Sequence, residues 1–382
     1  MLVKRNILTH LKELGQYFPV ISLTGPRQAG KTTLLRELYS DYTYLSLEDP
    51  DVLDQAINDP RTFLKEHNNR VIFDEAQRAP ELFSYLQTMV DDDPQPSRFI
   101  LSGSQNFLLQ QNITQSLAGR VGIAKLFPFD FSELKNENLL ASDFEEAIVK
   151  GFYPALFDRN IPSHLFYPSY EQTYIERDVS GLISSLNLEI FRLFLRVCAT
   201  YAGQLINYSK IARACGVSVN TITSWFSVLE QSYIIFRISP YFKNFGKRII
   251  KSPKLYFYDT GLLCNLLEIR NEKELKSSNY GGALFENLII ADIVKSNHHQ
   301  GNNSRLYFYR DSNQLEIDLL EAKASKFILT EIKSTRTYRT KLTMNLNRVA
   351  KLVDLPAEKK LIYGGDKSFE TQETSITPWF DI

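Results

Sequence analysis

Short apolar runs recur through the first third of the chain, and the stretches between them repeat apolar residues at helical spacing. Val20–Thr24, Tyr42–Leu47, Arg70–Phe73, Phe99–Ser102 and Val121–Phe127 read as strands, the first inside a longer apolar run that starts at Tyr17. Lys31–Tyr39 puts Leu34, Leu35 and Leu38 on one helical face. Strands alternating with helices predict an α/β fold whose parallel sheet is covered on both faces. From Ser132 to about Ala199 the period is mainly helical. Tyr208–Cys215 is then a short amphipathic helix, Gly216-Val217 a turn, Ser218 an N-cap, Val219–Leu229 a second helix and Tyr233–Ile238 a strand. That order predicts a winged helix-turn-helix. Leu255–Tyr258 is a further strand, Gly281-Gly282 breaks the chain, and Ala283 to about Lys295 is helical. Leu306–Arg310, Leu315–Leu320 and Lys326–Ile332 close the pattern as three strands. The expected organisation is an α/β multidomain chain: a parallel-sheet core over residues 1–135, a helical segment over 136–200, a winged helix-turn-helix over 201–270 and an α/β domain over 271–382.

Composition changes this picture little. The 44 Lys and Arg residues balance 44 Asp and Glu, so no global field steers the protein to nucleic acid or to a membrane surface. Cys198, Cys215 and Cys264 are too scattered for a disulfide framework or a C-x-x-C metal site. The opening residues, MLVKRNILTHLKEL, alternate charged and apolar positions like a surface helix and contain no continuous apolar signal segment. No run approaches the length of a membrane span, and the cytoplasm is the expected compartment.

Candidate chemistry changes it a great deal. Gly25, Pro26, Arg27, Gln28, Ala29, Gly30, Lys31 and Thr32 spell G-x-x-x-x-G-K-T, with Thr33 following, between a strand and a helix. A glycine-rich turn exposes consecutive backbone N–H groups, and the helix N-terminus adds its positive dipole end. Lys31 would reach the β- and γ-phosphates of ATP, and the Thr32 hydroxyl would ligate Mg²⁺. Val71–Glu75 is an apolar strand ending in two acids, which suits Asp74 to hold Mg²⁺ through water and Glu75 to polarise the attacking water. The strand ending at Ser102 runs into a polar tip, where Ser104, with Gln105 and Asn106 as rivals, would sense the γ-phosphate. Arg120, just before the last core strand, is either an arginine finger for a neighbouring subunit or a surface arginine.

The segments TGPRQAGKTTLL, VIFDEAQ, ILSGS, LAGR and LFPFDFSE together resemble a prokaryotic AAA+ ATPase family in which the ATPase core is joined to a C-terminal domain of unknown function. The likeness continues through Gly151–Ala155 (GFYPA) and Tyr174–Val179 (YIERDV), so it covers most of the chain. It implies an AAA+ core over residues 1–135, a helical lid packed over the nucleotide, and the winged-helix module already read from the pattern. It also implies ATP and Mg²⁺ as ligands and allows oligomers. By the same likeness Arg177 is a second phosphate sensor, unless it only pairs with its acidic neighbours Glu176 and Asp178.

Two regions bear on what the ATPase would act upon. The second helix of the helix-turn-helix exposes Asn220, Thr221, Thr223 and Ser224 but carries no Arg or Lys, which makes it a weak DNA binder by itself. A basic run follows, Lys243, Lys247, Arg248, Lys251 and Lys254, interleaved with Tyr241, Phe242 and Phe245: a wing on DNA backbone, a solvated linker, or a surface facing the acidic ATPase domain. Further on, Glu331 and Lys333 share a strand face, and a turn near Glu321–Ser325 would bring Asp318 beside them. With Glu286 on the preceding helix, this resembles the PD-(D/E)xK nuclease arrangement, which implies a restriction-endonuclease-like domain and a second Mg²⁺ or Mn²⁺ for phosphodiester hydrolysis. Glu316 faces the same side and would either add to that metal site or distort it. The expected function is an ATP-hydrolysing protein coupling nucleotide state to DNA binding or processing. The alternative is an ATP-dependent switch acting through protein partners, with an inactive nuclease-like domain.

Overall fold

The computed structural model of the chain describes residues 3–104, 109, 113, 115–175, 187–241, 252–302, 304–371 and 373–382. Gln105, Asn106, Glu176, Arg177, Asp178, Phe242, Lys243, Phe245, Lys247, Arg248 and Lys251 lie outside the described residues.

The first helix, α1 (Ile7–Tyr17), ends where the sequence pattern placed the start of a strand; Tyr17 is exposed, and the apolar run divides at Phe18. Strand β1 (Val20–Thr24) then leads through the glycine loop into α2 (Lys31–Leu38). Next come β2 (Thr43–Ser46), α3 (Pro50–Asn58), α4 (Pro60–Glu66), β3 (Val71–Asp74), α5 (Leu82–Asp92), β4 (Phe99–Gly103) and β5 (Val121–Lys125). Helices α3 and α4 each begin at an Asp N-cap followed by Pro, a pairing that satisfies an orphan N–H and fixes φ in advance. The five strands form one parallel sheet in the order β2-β3-β4-β1-β5. Alternate strand residues enter two cores: Ile72 packs with Leu34 on one face, Phe73 with Phe99 on the other. β1, β3 and β4 therefore lie side by side, and their carboxyl ends open on one edge.

After β5 the chain is helical, as α6 (Phe131–Asn136), α7 (Phe144–Lys150), α8 (Ala155–Asp158), α9 (Ser163–Tyr170) and α10 (Leu188–Thr200). Helix α6 starts on a capping box in which Asp130 and Glu133 each bond the other's backbone N–H. Asn207 caps α11 (Tyr208–Cys215), left-handed Gly216 ends it, and Ser218 caps α12 (Val219–Gln231). Strand β6 (Ile235–Pro240) pairs antiparallel with β7 (Lys254–Phe257). The remaining elements used below are α13 (Thr260–Leu266), α14 (Glu272–Ser277), α15 (Gly281–His299), β8 (Arg305–Arg310), β9 (Glu316–Ala322) and β10 (Phe327–Lys333). β11 (Ala357–Tyr363), β12 (Phe369–Glu370) and β13 (Ser375–Pro378) complete the fold.

Here the structure redraws the expected organisation. The β6–β7 hairpin is not the edge of a separate module. Ser239 and Pro240 pair in parallel with Tyr307 and Phe308 of β8, so the hairpin is the end of an eight-stranded sheet, β12-β13-β11-β10-β9-β8-β6-β7. Packing agrees with the pairing. Phe152 and Tyr153, Phe191, Trp225, Tyr256, Phe285 and Trp379 belong to one buried apolar cluster that runs through all three segments after residue 135. The boundaries drawn near 200 and 270 thus cross a continuous core and a continuous sheet. Helix α1 buries Ile7 and Leu11 and exposes its other face, while Arg5 just before it is 1% exposed.

Candidate ATP site and the C-terminal acidic centre

The glycine loop owes its path to two residues. Gly25 sits at φ 153°, and a Cβ there would lie 1.9 Å from the Leu126 carbonyl oxygen. Gly30 enters α2 in the left-handed region at φ 94°. Lys31 is nearly buried and donates to the carbonyl oxygens of Gly25 at 2.8 Å and Pro26 at 2.9 Å, across the loop it would serve. The Thr32 hydroxyl donates to Asp74 Oδ2 at 3.1 Å. Ser102 bonds the other oxygen of Asp74, and Tyr44 shares Oδ2, so the carboxylate has one fixed orientation. Thr32 and Asp74, an alcohol and a carboxylate in contact at the mouth of a phosphate loop, are a donor set that fits Mg²⁺.

Glu75 follows at φ 53°, a left-handed position for a residue with a Cβ, which turns its side chain off the strand end. Gln77 donates to Glu75 Oε2 at 2.5 Å, and the Ser104 hydroxyl to the same oxygen at 3.2 Å. A cavity of about 450 Å³ joins Arg27, Gln28, Gly30, Lys31, Thr32 and Thr33 to Asp74 and Glu75. Its far wall is Pro154, Ala155, Asp158 and Arg159 from α8 and its flanks, so the GFYPA segment faces the glycine loop.

Ser104, at the tip of β4, therefore stands beside Glu75. Arg120 does not. It precedes β5, whose start pairs with the start of β1, at the sheet edge opposite the glycine loop. There it forms a two-point pair with Asp91, 2.9 Å from Nη2 to Oδ2, which draws the Asp91 carboxyl below its usual range. The sequence reading missed Gln77 and Arg159, whose only signals were their places after the strand-end acids and after GFYPA.

The glycine loop is tied to the C-terminal half by a buried polar network. Arg5 donates to the carbonyls of Ala29 in the loop (2.8 Å) and Phe127 (2.5 Å), and to Glu133 at 2.9 Å. Asp130 and Glu133 meet His299 at the end of α15: Nδ1 lies 2.7 Å from Asp130 Oδ2, and Nε2 accepts from the Phe127 N–H at 3.1 Å. Lys295 and Asp292 of the same helix bond the backbone of Phe129 and Phe131. Asp130, Glu133 and His299 are close enough for a metal ion, but Arg5, Asn6, Ser132 and backbone N–H groups saturate their oxygens, and both imidazole nitrogens are used. A second tie is the 2.7 Å bond between Thr24 and the Tyr233 hydroxyl.

At the other end of α15, the structure gathers Glu286, Asp318, Glu331 and Lys333, as the sequence predicted. β9 and β10 pair antiparallel across a turn after Ala322. Lys333 Nζ lies 2.9 Å from both Asp318 Oδ2 and Glu331 Oε1, and Ile332 N–H donates to Asp318 at 2.8 Å. Lys254 is the correction: it is 2% exposed rather than part of a basic wing. Its ammonium lies 3.0 Å from Glu286 Oε1 and 2.6 Å from Glu316 Oε1, while Arg310 holds Glu316 Oε2 at 3.1 Å. Burial and then the Asp318 charge push the Glu286 and Glu331 carboxyls up, Glu331 to about 8. Burial alone would lower the lysines, but the carboxylates override it and hold both well above their usual range.

Glu331 yields a prediction. A carboxyl raised from 4.5 to about 8 on folding stabilises fully below pH 4.5 and loses that contribution as pH rises through 8. Urea unfolding should find Glu331→Gln similar to the parent near pH ~5 and more stable than it near pH ~9. Identical pH slopes would mean that Glu331 ionises normally.

A larger cavity of about 730 Å³, bordered by Tyr167, Arg192, Arg196 and Arg270, contains none of the sequence-predicted site residues. Among the described residues, no helix is long and apolar enough to cross a membrane.

Comparison with known proteins adds the following. An AAA domain model matches residues 17–135, a domain of unknown function (DUF8612) residues 141–273, and a second domain of unknown function (DUF4143) residues 281–382. An uncharacterized protein of Mycobacterium tuberculosis and one of Mycobacterium bovis are each 30% identical over 383 residues, covering 98% of this chain and 83% of theirs. Among solved structures, a Walker-type ATPase of Pyrococcus abyssi is 16% identical with a TM-score of 0.44, over 68% of this chain and 94% of that one. The AAA match falls on the same residues that build the glycine loop and the strand-end acids, and the mycobacterial likeness runs through the rest, so residues 17–135 match an AAA domain and the chain as a whole belongs to one family with these mycobacterial proteins.

Proposed function

We propose that the protein hydrolyses ATP at the Gly25–Thr33 loop and that its C-terminal half responds to the nucleotide. The observation that carries the first part is the meeting of Lys31, Thr32, Asp74 and Glu75 around one cavity, with Ser104 bonded to Glu75 behind it. In this reading the loop N–H groups and Lys31 bind the β- and γ-phosphates, Lys31 exchanging its two carbonyl partners for phosphate oxygens. Thr32 and Asp74 would hold Mg²⁺, which when bound would neutralise phosphate charge. Glu75, positioned by Gln77, orients and deprotonates the attacking water, and Ser104 meets the γ-phosphate. Arg27 and Arg159, which line the same cavity, are the further cations near the phosphate site among the described residues, while Arg120 pairs with Asp91 at the other end of the sheet.

The second part is supported by Arg5, which bonds the loop carbonyl of Ala29 and, through Glu133, joins the network that holds α15. Movement of the loop around phosphate is then felt at His299, Lys295 and Asp292. The working surface is the α11–α12 pair, a winged helix in this reading. DNA is one target, held by polar side chains such as exposed Asn220, Thr223 and Ser224. A protein partner is the other, and the withdrawal of Lys254 from the surface favours it, because phosphate neutralisation supplies most DNA affinity. Phosphate release measured with and without single- and double-stranded DNA separates them. DNA as target predicts a rate that rises with one form and loses that rise with added salt. A rate blind to every DNA form removes DNA and leaves the partner reading.

A further inference from the structure

The likeness to PD-(D/E)xK nucleases implies a divalent ion among Glu286, Asp318 and Glu331. We propose instead that this centre is closed by lysine and works without a metal, Lys254 filling the place of the cation between Glu286 and Glu316.

Two independent features carry this. The first is occupancy. Each ammonium bridges two carboxylates, Lys254 joining Glu286 to Glu316 and Lys333 joining Asp318 to Glu331, with all four contacts at 3.0 Å or less. Arg310 takes the outer oxygen of Glu316, and the Tyr256 hydroxyl shares Glu286 Oε1 at 2.7 Å. Four carboxylates thus face three fixed cations, and a divalent ion would enter a centre whose charge is already nearly balanced. The second is convergence. A cation needs oxygens aimed at one point. Among the described residues, no oxygens taken one each from three of these four acids lie within 4.8 Å of one another; only Asp130, Glu133 and His299 meet that condition. Glu331 Oε2 is buried without a hydrogen-bond partner, yet the oxygens of its neighbours do not close around it.

The arrangement has a structural use. Lys254 belongs to β7, Glu286 to α15 and Glu316 to β9. The bridge fastens the hairpin that follows the helix-turn-helix to the helix whose other end holds the Arg5 network. The C-terminal half then acts by docking, and phosphodiester cleavage is not its work.

The test is Mn²⁺ binding by the nucleotide-free full chain, read from the electron paramagnetic resonance of free Mn²⁺. Asp318→Asn keeps an acceptor for the Ile332 N–H while removing the charge. The parent and Asp318→Asn should bind Mn²⁺ in the same amount, since any ion at Thr32 and Asp74 is common to both. Glu286→Gln, which neutralises the acid on the helix side, should likewise bind the parent's amount, with the fold of each variant checked by circular dichroism. An equivalent present in the parent and lost in Asp318→Asn overturns the proposal, and one lost in a folded Glu286→Gln overturns it as well.

Discussion

Glu75→Gln should bind ATP as the parent does and turn it over about 10²–10⁴ times more slowly, the range expected when a positioned general base is lost. The substitution keeps the size of the side chain and an oxygen that accepts from Gln77 and Ser104, so the loop and cavity remain as they are. What disappears is the carboxylate that takes the water's proton. The left-handed backbone at Glu75 supports this role, because a side chain turned off its strand at a local energetic cost is a common mark of a working residue. Phosphate release and fluorescent-nucleotide binding, measured on one preparation, give the two numbers. Equal turnover by variant and parent would remove Glu75 from the mechanism.

Lys31→Ala should weaken ATP binding by about 10²-fold or more. The Lys31 ammonium is nearly buried and already bonded to two loop carbonyls, so it is placed to make two charge-assisted bonds to phosphate at about 1.5–3 kcal/mol each. Titration calorimetry with ATP reads the loss directly. Affinity within about threefold of the parent would mean that the phosphates bind elsewhere.

The parts of the fold that depend on local pattern were legible in the sequence. The β1 and β4 runs, the glycine loop and the Ser218 cap each carry their signal within a few residues, and the strand-end acids follow from β3. The four residues of the C-terminal centre were also readable, because strand alternation puts Glu331 and Lys333 on one face. What the pattern hid was long-range. The pairing of Ser239 with Tyr307 leaves no local trace, yet it merges two expected domains into one sheet. Arg5 and Lys254 sit in stretches rich in charge, where solvent exposure is the ordinary expectation. Their burial is explained only by distant partners, Glu133 for one and Glu286 with Glu316 for the other. Arg120 stands in a motif that suggests catalysis, and its pairing with Asp91 is equally invisible in the string.

The account rests on hydrolysis at the Gly25–Thr33 loop, and the direct measurement is phosphate release from ATP and Mg²⁺ by the parent, with Lys31→Ala and Glu75→Gln run beside it. The account predicts steady turnover by the parent and at least about 10²-fold slower phosphate release in either variant. A parent that binds ATP but releases no phosphate, or variants that keep the parent's rate, would contradict it.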